Sequence, residues 1–335
     1  MITFIIRRLL IAIPTLVIIS LVVFLLLNLA PNDPMAQVPL TVPPEVKQKM
    51  REALGLGQPI HIQFFKWLVQ FFWIEPQVLI DYLFNTNFSE GKQRIISWQT
   101  RSPVMDIVVQ RLPQTLWVVG MSYVVGILIA LPIGLYSAYK QYSIFDNVGT
   151  FVSMVGYSVP PFFSGVFVIV IFSVQLGWLP SIYDTTHTVV DWETFKFQVK
   201  QMVMPVMVLA LQTTAQINRF MRSASLDNLN QDYVRTARAK GLTEWTIITV
   251  HVLRNSMIPV VTVIAINVPY IFGGALITEQ VFKVNGIGHQ LIGAIYANDL
   301  PTVQTITFMF AFLIVSFNLL ADIIYGLLDP RIRYD

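Results

Sequence analysis

The sequence predicts an all-α polytopic membrane protein with about six transmembrane helices, and three observations carry that expectation. Of 335 residues, 55% are hydrophobic and only 12% are charged, against about 25% charged in ordinary soluble domains. The apolar residues are gathered into long runs, and a spanning helix needs about 20 mostly apolar residues to cross roughly 30 Å of hydrocarbon. The basic residues behind the net charge of +3 cluster beside those runs, so their excess reflects orientation in a membrane rather than contact with nucleic acid. Cysteine is absent, which excludes disulfides, thiolate metal sites and thiol nucleophiles.

Apolar run length places the spans at about 9–29, 114–138, 148–174, 202–218, 257–282 and 303–327. The first follows Arg7 and Arg8 and exceeds the roughly 7–15 residues of a signal-peptide core. It reads as an uncleaved anchor, 1–29. The fourth is short and runs into the polar stretch Gln212-Thr213-Thr214-Ala215-Gln216.

Arginine and lysine give an expected topology. With a cytoplasmic N-terminus, the inner segments hold Arg7, Arg8, Lys140, Arg219, Arg222, Arg235, Arg238, Lys240, Arg254, Arg331 and Arg333, while the short outer loops hold only Lys196, Lys200 and Lys283. Segment 30–113 is longer than the roughly 60 residues over which loop charge reports orientation. Both termini inside, with an even number of spans, is the consistent solution.

The extracytoplasmic segment 30–113 has structure of its own. Pro44 and Glu45 open a short helix through Met50 and Leu54 that Gly55 or Gly57 would stop. Phe64, Phe65, Trp67, Phe71, Phe72 and Trp73 follow. They suit either a cap that docks an external partner or a segment lying at the membrane interface. The remainder, 114–335, is the core domain with five spans.

No G-x-x-x-x-G-K-[ST] phosphate loop is present, so nothing here cradles ATP. His61, His187, His251 and His289 lack metal-ligand spacing, and no H-E-x-x-H occurs. Ionisable residues are nearly absent from the spans, Asp322 being the clearest exception. Proton- and ion-coupled carriers keep such groups near the midplane for relays. Energy is therefore expected to enter from another subunit.

The segment 219–256 is the largest inner loop, and it reads as two helices with a break. Residues 231–240 form a helix in which Tyr233 and Ala237 share one side and Arg235 and Arg238 another. Gly241 can take the left-handed conformation that ends a helix, and Thr243 can cap the next. The basic residues alone would equally suit an amphipathic helix resting on anionic lipid.

The run Asp232-Tyr233-Val234-Arg235-Thr236-Ala237-Arg238-Ala239-Lys240-Gly241-Leu242, continuing to Leu253-Arg254-Asn255-Ser256-Met257-Ile258-Pro259, resembles the cytoplasmic loop of permeases in binding-protein-dependent ABC importers. It is most similar to the dipeptide, oligopeptide and nickel branch, in its B-type subunit. Where the general motif has glutamate-alanine-alanine followed at fixed spacing by glycine, this chain has Arg235-Thr236-Ala237 and then Gly241. The resemblance extends along the chain through Arg7-Arg8-Leu9-Leu10, Leu29-Ala30-Pro31, Leu54-Gly55-Leu56-Gly57-Gln58-Pro59 and Arg111-Leu112-Pro113-Gln114-Thr115-Leu116. It continues in Glu279, Phe282, Gly286, Gly288, Asp299 and Pro301, and ends in Asp322, Tyr325, Asp329, Pro330 and Arg331. Asn32 and Asn285 stand where glycine and proline are usual.

The resemblance implies a type I ABC importer permease in the bacterial cytoplasmic membrane that translocates peptides. Nickel or another small solute is the alternative. It implies a second homologous permease subunit, two ABC ATPase subunits that bind ATP and Mg, an extracytoplasmic substrate-binding protein and surrounding lipid. This chain itself would bind no cofactor, metal or nucleic acid and would catalyse nothing. Tyr233, Arg235, Thr236, Ala237, Arg238, Lys240 and Gly241 would couple to an ATPase, Ala237 staying small to fit its cleft. Gln212, Thr213, Gln216, Asn267 and Asn318 are candidates to line the pathway, against the reading that they are interhelical hydrogen-bond partners. A secondary transporter would call for intramembrane charges and an inverted repeat, and a membrane-embedded enzyme for a catalytic constellation; neither pattern is visible.

Overall fold

The computed structural model describes residues 2–29, 42–53 and 57–328, and every regular element among them is a helix. In order these are α1 (Ile2–Leu29), α2 (Pro44–Ala53), α3 (Ile60–Val69), α4 (Glu75–Phe84), α5 (Val104–Thr115), α6 (Met121–Tyr139), α7 (Ile144–Ser158) and α8 (Pro161–Val168). There follow α9 (Trp192–Leu229), α10 (Asp232–Ala239), α11 (Glu244–Thr246), α12 (Leu253–Phe272), α13 (Leu276–Phe282), α14 (Ile287–Tyr296) and α15 (Leu300–Leu328). π-Helical turns at Gln70–Ile74, Leu116–Gly120 and Ile247–Val252 join α3 to α4, α5 to α6 and α11 to α12, and Ile169–Gln175 continues α8. Ala30 to Asp33, Pro34, Leu54 to Leu56, Asp329 to Arg331 and Arg333 lie outside the described residues.

Four described stretches are long and apolar enough to cross a membrane: Ile6–Leu29, Val104–Tyr139, Glu244–Phe272 and Leu300–Ala321. A fifth exists if Ile144–Ser158 and Pro161–Gln175, bent by 104° at their junction, act as one. The span expected over 148–174 is therefore broken. Val159-Pro160-Pro161 explains why: proline lacks the N–H a helix needs, and the residue before it is pushed out of the helical region. Val159 accordingly has φ −79° and ψ 124°.

The second span starts ahead of the expected 114 because Pro113 sits inside α5 without ending it. The fifth is displaced from the expected 257–282 to Glu244–Phe272. Gly273 and Gly274 end it, Gly274 with φ +69°, and the apolar residues beyond belong to the separate helix α13. The expected span over 202–218 lies inside α9, a single helix of 38 residues that Pro205 does not interrupt. However, α9 is not among the described stretches apolar enough to cross a membrane, because Gln201, Gln212, Thr213, Thr214 and Gln216 dilute its apolar run. Its N-terminus is a full capping box between Asp191 and Thr194.

The chain divides into two compact units. Among the described residues the first comprises those up to 112 together with 290–319, so it takes in part of what the sequence placed in the core. Its interior is aromatic: Phe24 packs on Phe64 at 5.2 Å, and Trp67 and Phe71 each meet Phe308 edge-on at 5.1 Å. Phe64 and Trp67 are buried, whereas Phe65 and Trp73 are exposed. Asp299 precedes α15 and accepts hydrogen bonds from Thr302 Oγ1, Ser97 Oγ and the Trp98 N–H. Arg94 bridges Glu75 and Asp106, both at 2.8 Å.

The second unit comprises, among the described residues, 113–289 and those from 320 on, and is organised by close packing of α6 on α9. Ser122, Gly126, Ala130 and Gly134 recur every four residues and are all buried. A Cβ at Gly126 would lie 2.7 Å from Thr213 Cβ, and one at Gly134 2.7 Å from Met221 Cβ. Small residues at this period let helix backbones approach where lipid offers no hydrophobic driving force. Asn218 Nδ2 donates to Ser153 Oγ at 2.8 Å and Tyr123 Oη to the Ile264 carbonyl at 2.7 Å, tying α9 to α7 and α6 to α12.

Candidate functional site

The loop singled out by the sequence folds as a braced corner at the end of α9. Leu229 closes α9, and Tyr233 Oη donates to Asn228 Oδ1 at 2.7 Å, setting the angle at which α10 leaves. The end of α10 is a complete Schellman motif. The Gly241 N–H donates to the Arg238 carbonyl at 3.0 Å and the Leu242 N–H to that of Ala237 at 3.3 Å. Gly241 has φ +78°, a conformation that costs an L-residue about 1–2 kcal/mol. Thr243 then caps α11, its hydroxyl accepting the Thr246 N–H at 3.3 Å. Arg238 closes the corner through a two-pronged contact with Glu244, at 2.8 and 3.2 Å.

The two faces of α10 have different fates. Val234 and Ala237 are buried against Ile247 and Val252, with Leu135, Leu229 and Tyr233 packed around them. Asp232, Arg235, Thr236 and Ala239 are exposed, as are Arg238, Lys240, Gly241 and Leu242. Tyr233 and Ala237 do share a side, but that side is turned inward. Ala237 is 6% exposed, so its small size serves packing within this subunit, and it offers little surface to an outside cleft. Ala239 is the small residue on the outer face, which the sequence reading missed although its i, i+3, i+7 spacing from Asp232 and Arg235 was available.

The pathway candidates are only partly brought together. Gln212, Thr213 and Gln216 lie half-buried on α9, where Thr213 packs against Gly126 and donates to the Leu209 carbonyl at 3.3 Å. Asn267, on α12, donates to the Val263 carbonyl at 2.7 Å. Asn318 is exposed on α15 and belongs to the other unit.

Two polar centres in the second unit are built around Glu279 and Tyr183, neither of which the sequence singled out as a site. The Glu279 carboxylate is fully buried. It accepts the His289 N–H at 2.8 Å and the Thr115 hydroxyl at 3.2 Å, while Thr115 Oγ1 accepts the Ile287 N–H at 2.8 Å. Burial pushes the Glu279 carboxyl above its ordinary range, and the His289 and Thr115 hydrogen bonds pull it back only in part. Tyr183 donates to Gln114 Oε1 at 2.9 Å and accepts from Gln198, which in turn accepts from Gln201 at 2.7 Å. Glu279 was legible only as one position in a spaced pattern, since the loop glycines that surround it carry no charge to pair with.

With the corner in view, the comparisons with known proteins decide the family. Residues 130–334 match the family described as the binding-protein-dependent transport system inner membrane component, and residues 1–119 match its N-terminal companion family. The chain belongs to this family. The permease is 35% identical to the oligopeptide transport system permease protein AppB of Bacillus subtilis, over the full length of both chains. It is 32% identical to the glutathione transport system permease protein GsiC of Salmonella typhi, again over the full length of both. The permease is thus an all-α, multi-pass membrane component of a transport system.

Proposed function

We propose that this permease is one half of the translocation path of an ATP-driven peptide importer of the bacterial cytoplasmic membrane, with both termini cytoplasmic. A second homologous permease subunit completes the path, two ABC ATPases bind Mg-ATP, and an extracytoplasmic binding protein delivers the peptide. The preference for peptides rests on the similarity to AppB, an oligopeptide transport system permease protein, and GsiC, a glutathione transport system permease protein.

The observation that carries the coupling role is the braced, one-sided packing of α10. Its inner face, Val234 and Ala237, is committed to Ile247 and Val252 on the turn leading into α12, and Tyr233 ties it to Asn228 of α9, so a push on the outer face is passed to both helices through the corner. That is the physical requirement for passing ATPase closure to the spans. Arg235, Thr236, Ala239 and Lys240 offer the contact, with Tyr233, Ala237, Arg238 and Gly241 holding its shape. Polar Gln212 and Gln216 on α9 are the pathway candidates nearest this reading.

The test is Ala239→Leu in the complex co-expressed with its ATPases. A bulky residue on a fitted outer face costs about 1–3 kcal/mol of contact, so ATPase recovery and hydrolysis stimulated by peptide-loaded binding protein should fall while the permease remains folded. Normal recovery and stimulation would remove the coupling role. Stimulation by a nickel-loaded binding protein and not by a peptide-loaded one would overturn the substrate assignment.

A further inference from the structure

The aromatic segment after α2 suits either a cap for an external partner or a place at the membrane interface, and its packing within the first unit favours one of them. The inner side of α3 is fixed to two separate apolar helices. Phe64 packs on Phe24 of α1 at 5.2 Å, and Phe24 stands about 8 Å short of the end of α1 at Leu29. Trp67 and Phe71 meet Phe308 of α15 at 5.1 Å, and Phe72 meets Phe312 at 6.3 Å. The apolar run of α15 opens at Phe308, after Thr305 and Thr307, so Phe312 lies about 6 Å inside it. Measured along either helix, the aromatic row sits at the same depth, within the roughly 5–10 Å at which interfacial helices settle into a bilayer.

The outer side is apolar as well. Ile62, Phe65, Val69 and Trp73 follow one another at intervals of three or four residues, which places them in one stripe along the helix. Phe65 is 65% exposed and Trp73 66%, and Leu79, Leu83 and Phe84 extend the bare apolar surface along α4. Both acidic residues of the segment are engaged elsewhere. Glu75 is buried against Arg94 at 2.8 Å, and the Asp81 carboxylate accepts the N–H groups of Phe88 and Ser89 in the loop beyond α4. Lys66 is the remaining full charge on α3 and α4, and a lysine stem is long enough to carry its ammonium to the headgroup layer while its methylenes stay in hydrocarbon.

We propose that α3 and α4 lie in the bilayer beside α1 and α15, with the exposed stripe facing the acyl chains of the leaflet into which Leu29 and Leu300 emerge. An external protein would need the same stripe to stand in water. The inference depends on the membrane class of the chain and on neither the substrate nor the ATPase partners.

The experiment uses the absence of cysteine. Phe65→Cys, Val69→Cys and Trp73→Cys are spin-labelled in the full-length permease in phospholipid nanodiscs, with Leu26→Cys on α1 as the lipid-facing reference and Glu90→Cys as the aqueous one. All five positions are exposed, so labelling leaves the interior packing intact. The three stripe labels are expected to collide with dissolved oxygen as the Leu26→Cys label does, and with a water-soluble nickel chelate about tenfold less than the Glu90→Cys label, because a polar chelate is excluded from hydrocarbon. Chelate collision at the Glu90→Cys level overturns the proposal. Low collision with both reagents also overturns it, since that marks a surface covered by protein. Chelate access that falls only when an extracytoplasmic binding protein is added overturns it in favour of a protein-docking cap.

Discussion

Arg222, on α9, grips Asp146, in the first turn of α7, through two hydrogen bonds: Nε to Oδ1 at 2.6 Å and Nη2 to Oδ2 at 2.8 Å. Asp146 also accepts the Tyr142 N–H at 2.9 Å. The Asp146 side chain is 3% exposed and that of Arg222 27%. Removing one partner of a fully buried pair costs about 3–5 kcal/mol, and the partial exposure of Arg222 lowers that. Arg222→Met is expected to cost roughly 2 kcal/mol in chemical unfolding of the purified subunit in detergent. Adding Asp146→Asn should cost little more, because the uncompensated charge is then gone. Additive losses would show that the two side chains act independently.

Gly241→Val should strain the corner by about 1–2 kcal/mol and misdirect α10. Nothing lies within 4 Å of a Cβ placed at Gly241, so the effect is conformational and not steric. Gly241→Asn should therefore recover most of the loss, since asparagine tolerates the left-handed region. Stimulated ATP hydrolysis by the assembled complex reads the difference, and equal activity of Gly241→Val and wild type would dismiss the turn.

Ala237→Leu and Ala239→Leu should separate inner from outer face. The first adds bulk to a filled interior and should destabilise the subunit itself by about 1–3 kcal/mol, visible before any ATPase is added. The second should leave subunit unfolding within about 0.5 kcal/mol of wild type, as ordinary surface changes do. Identical unfolding curves for the two variants would contradict the packing of α10.

Gly286 borders Glu279 so closely that a Cβ there would lie 2.5 Å from both carboxylate oxygens and from Thr115 Oγ1. Gly286→Ala should therefore lower recovery of folded permease sharply, whereas Gly293→Ala, with nothing within 4 Å, should be silent. The pH dependence follows from the raised Glu279 carboxyl. Between its ordinary and its raised value the folded state binds more protons than the unfolded one, so stability falls as pH rises through that window and levels off above it. Glu279→Gln should flatten the fall; an unchanged pH profile would mean that Glu279 does not govern it.

The helical membrane class and the α10 corner were legible because both are written locally, the first in apolar run length and the second in Gly241 and Thr243. Which face of α10 is covered was not, since Leu135, Ile247 and Val252 reach it from other elements. The bend at Val159-Pro160-Pro161 and the stop at Gly273-Gly274 were present in the sequence, but run length overrode them. α9 was underestimated because its glutamines and threonines dilute the apolar signal, although Gly126 on α6 gives Thr213 a close neighbour. The packing of Trp67 on Phe308 was invisible, as the two lie more than two hundred positions apart.

The unbroken length of α9 sets a mechanical ratio. Its 38 residues extend roughly 57 Å at about 1.5 Å per residue, nearly twice the roughly 30 Å of hydrocarbon. α10 is attached directly to one end, after Asn230 and Gln231. A beam pivoting about its midpoint by about 10° would sweep each tip through about 5 Å over a half-length of roughly 28 Å. A few ångströms of travel at the α10 corner thus reappear, in the opposite direction, at Trp192, and stiffness becomes the means by which the far end of the unit feels what happens at the near one.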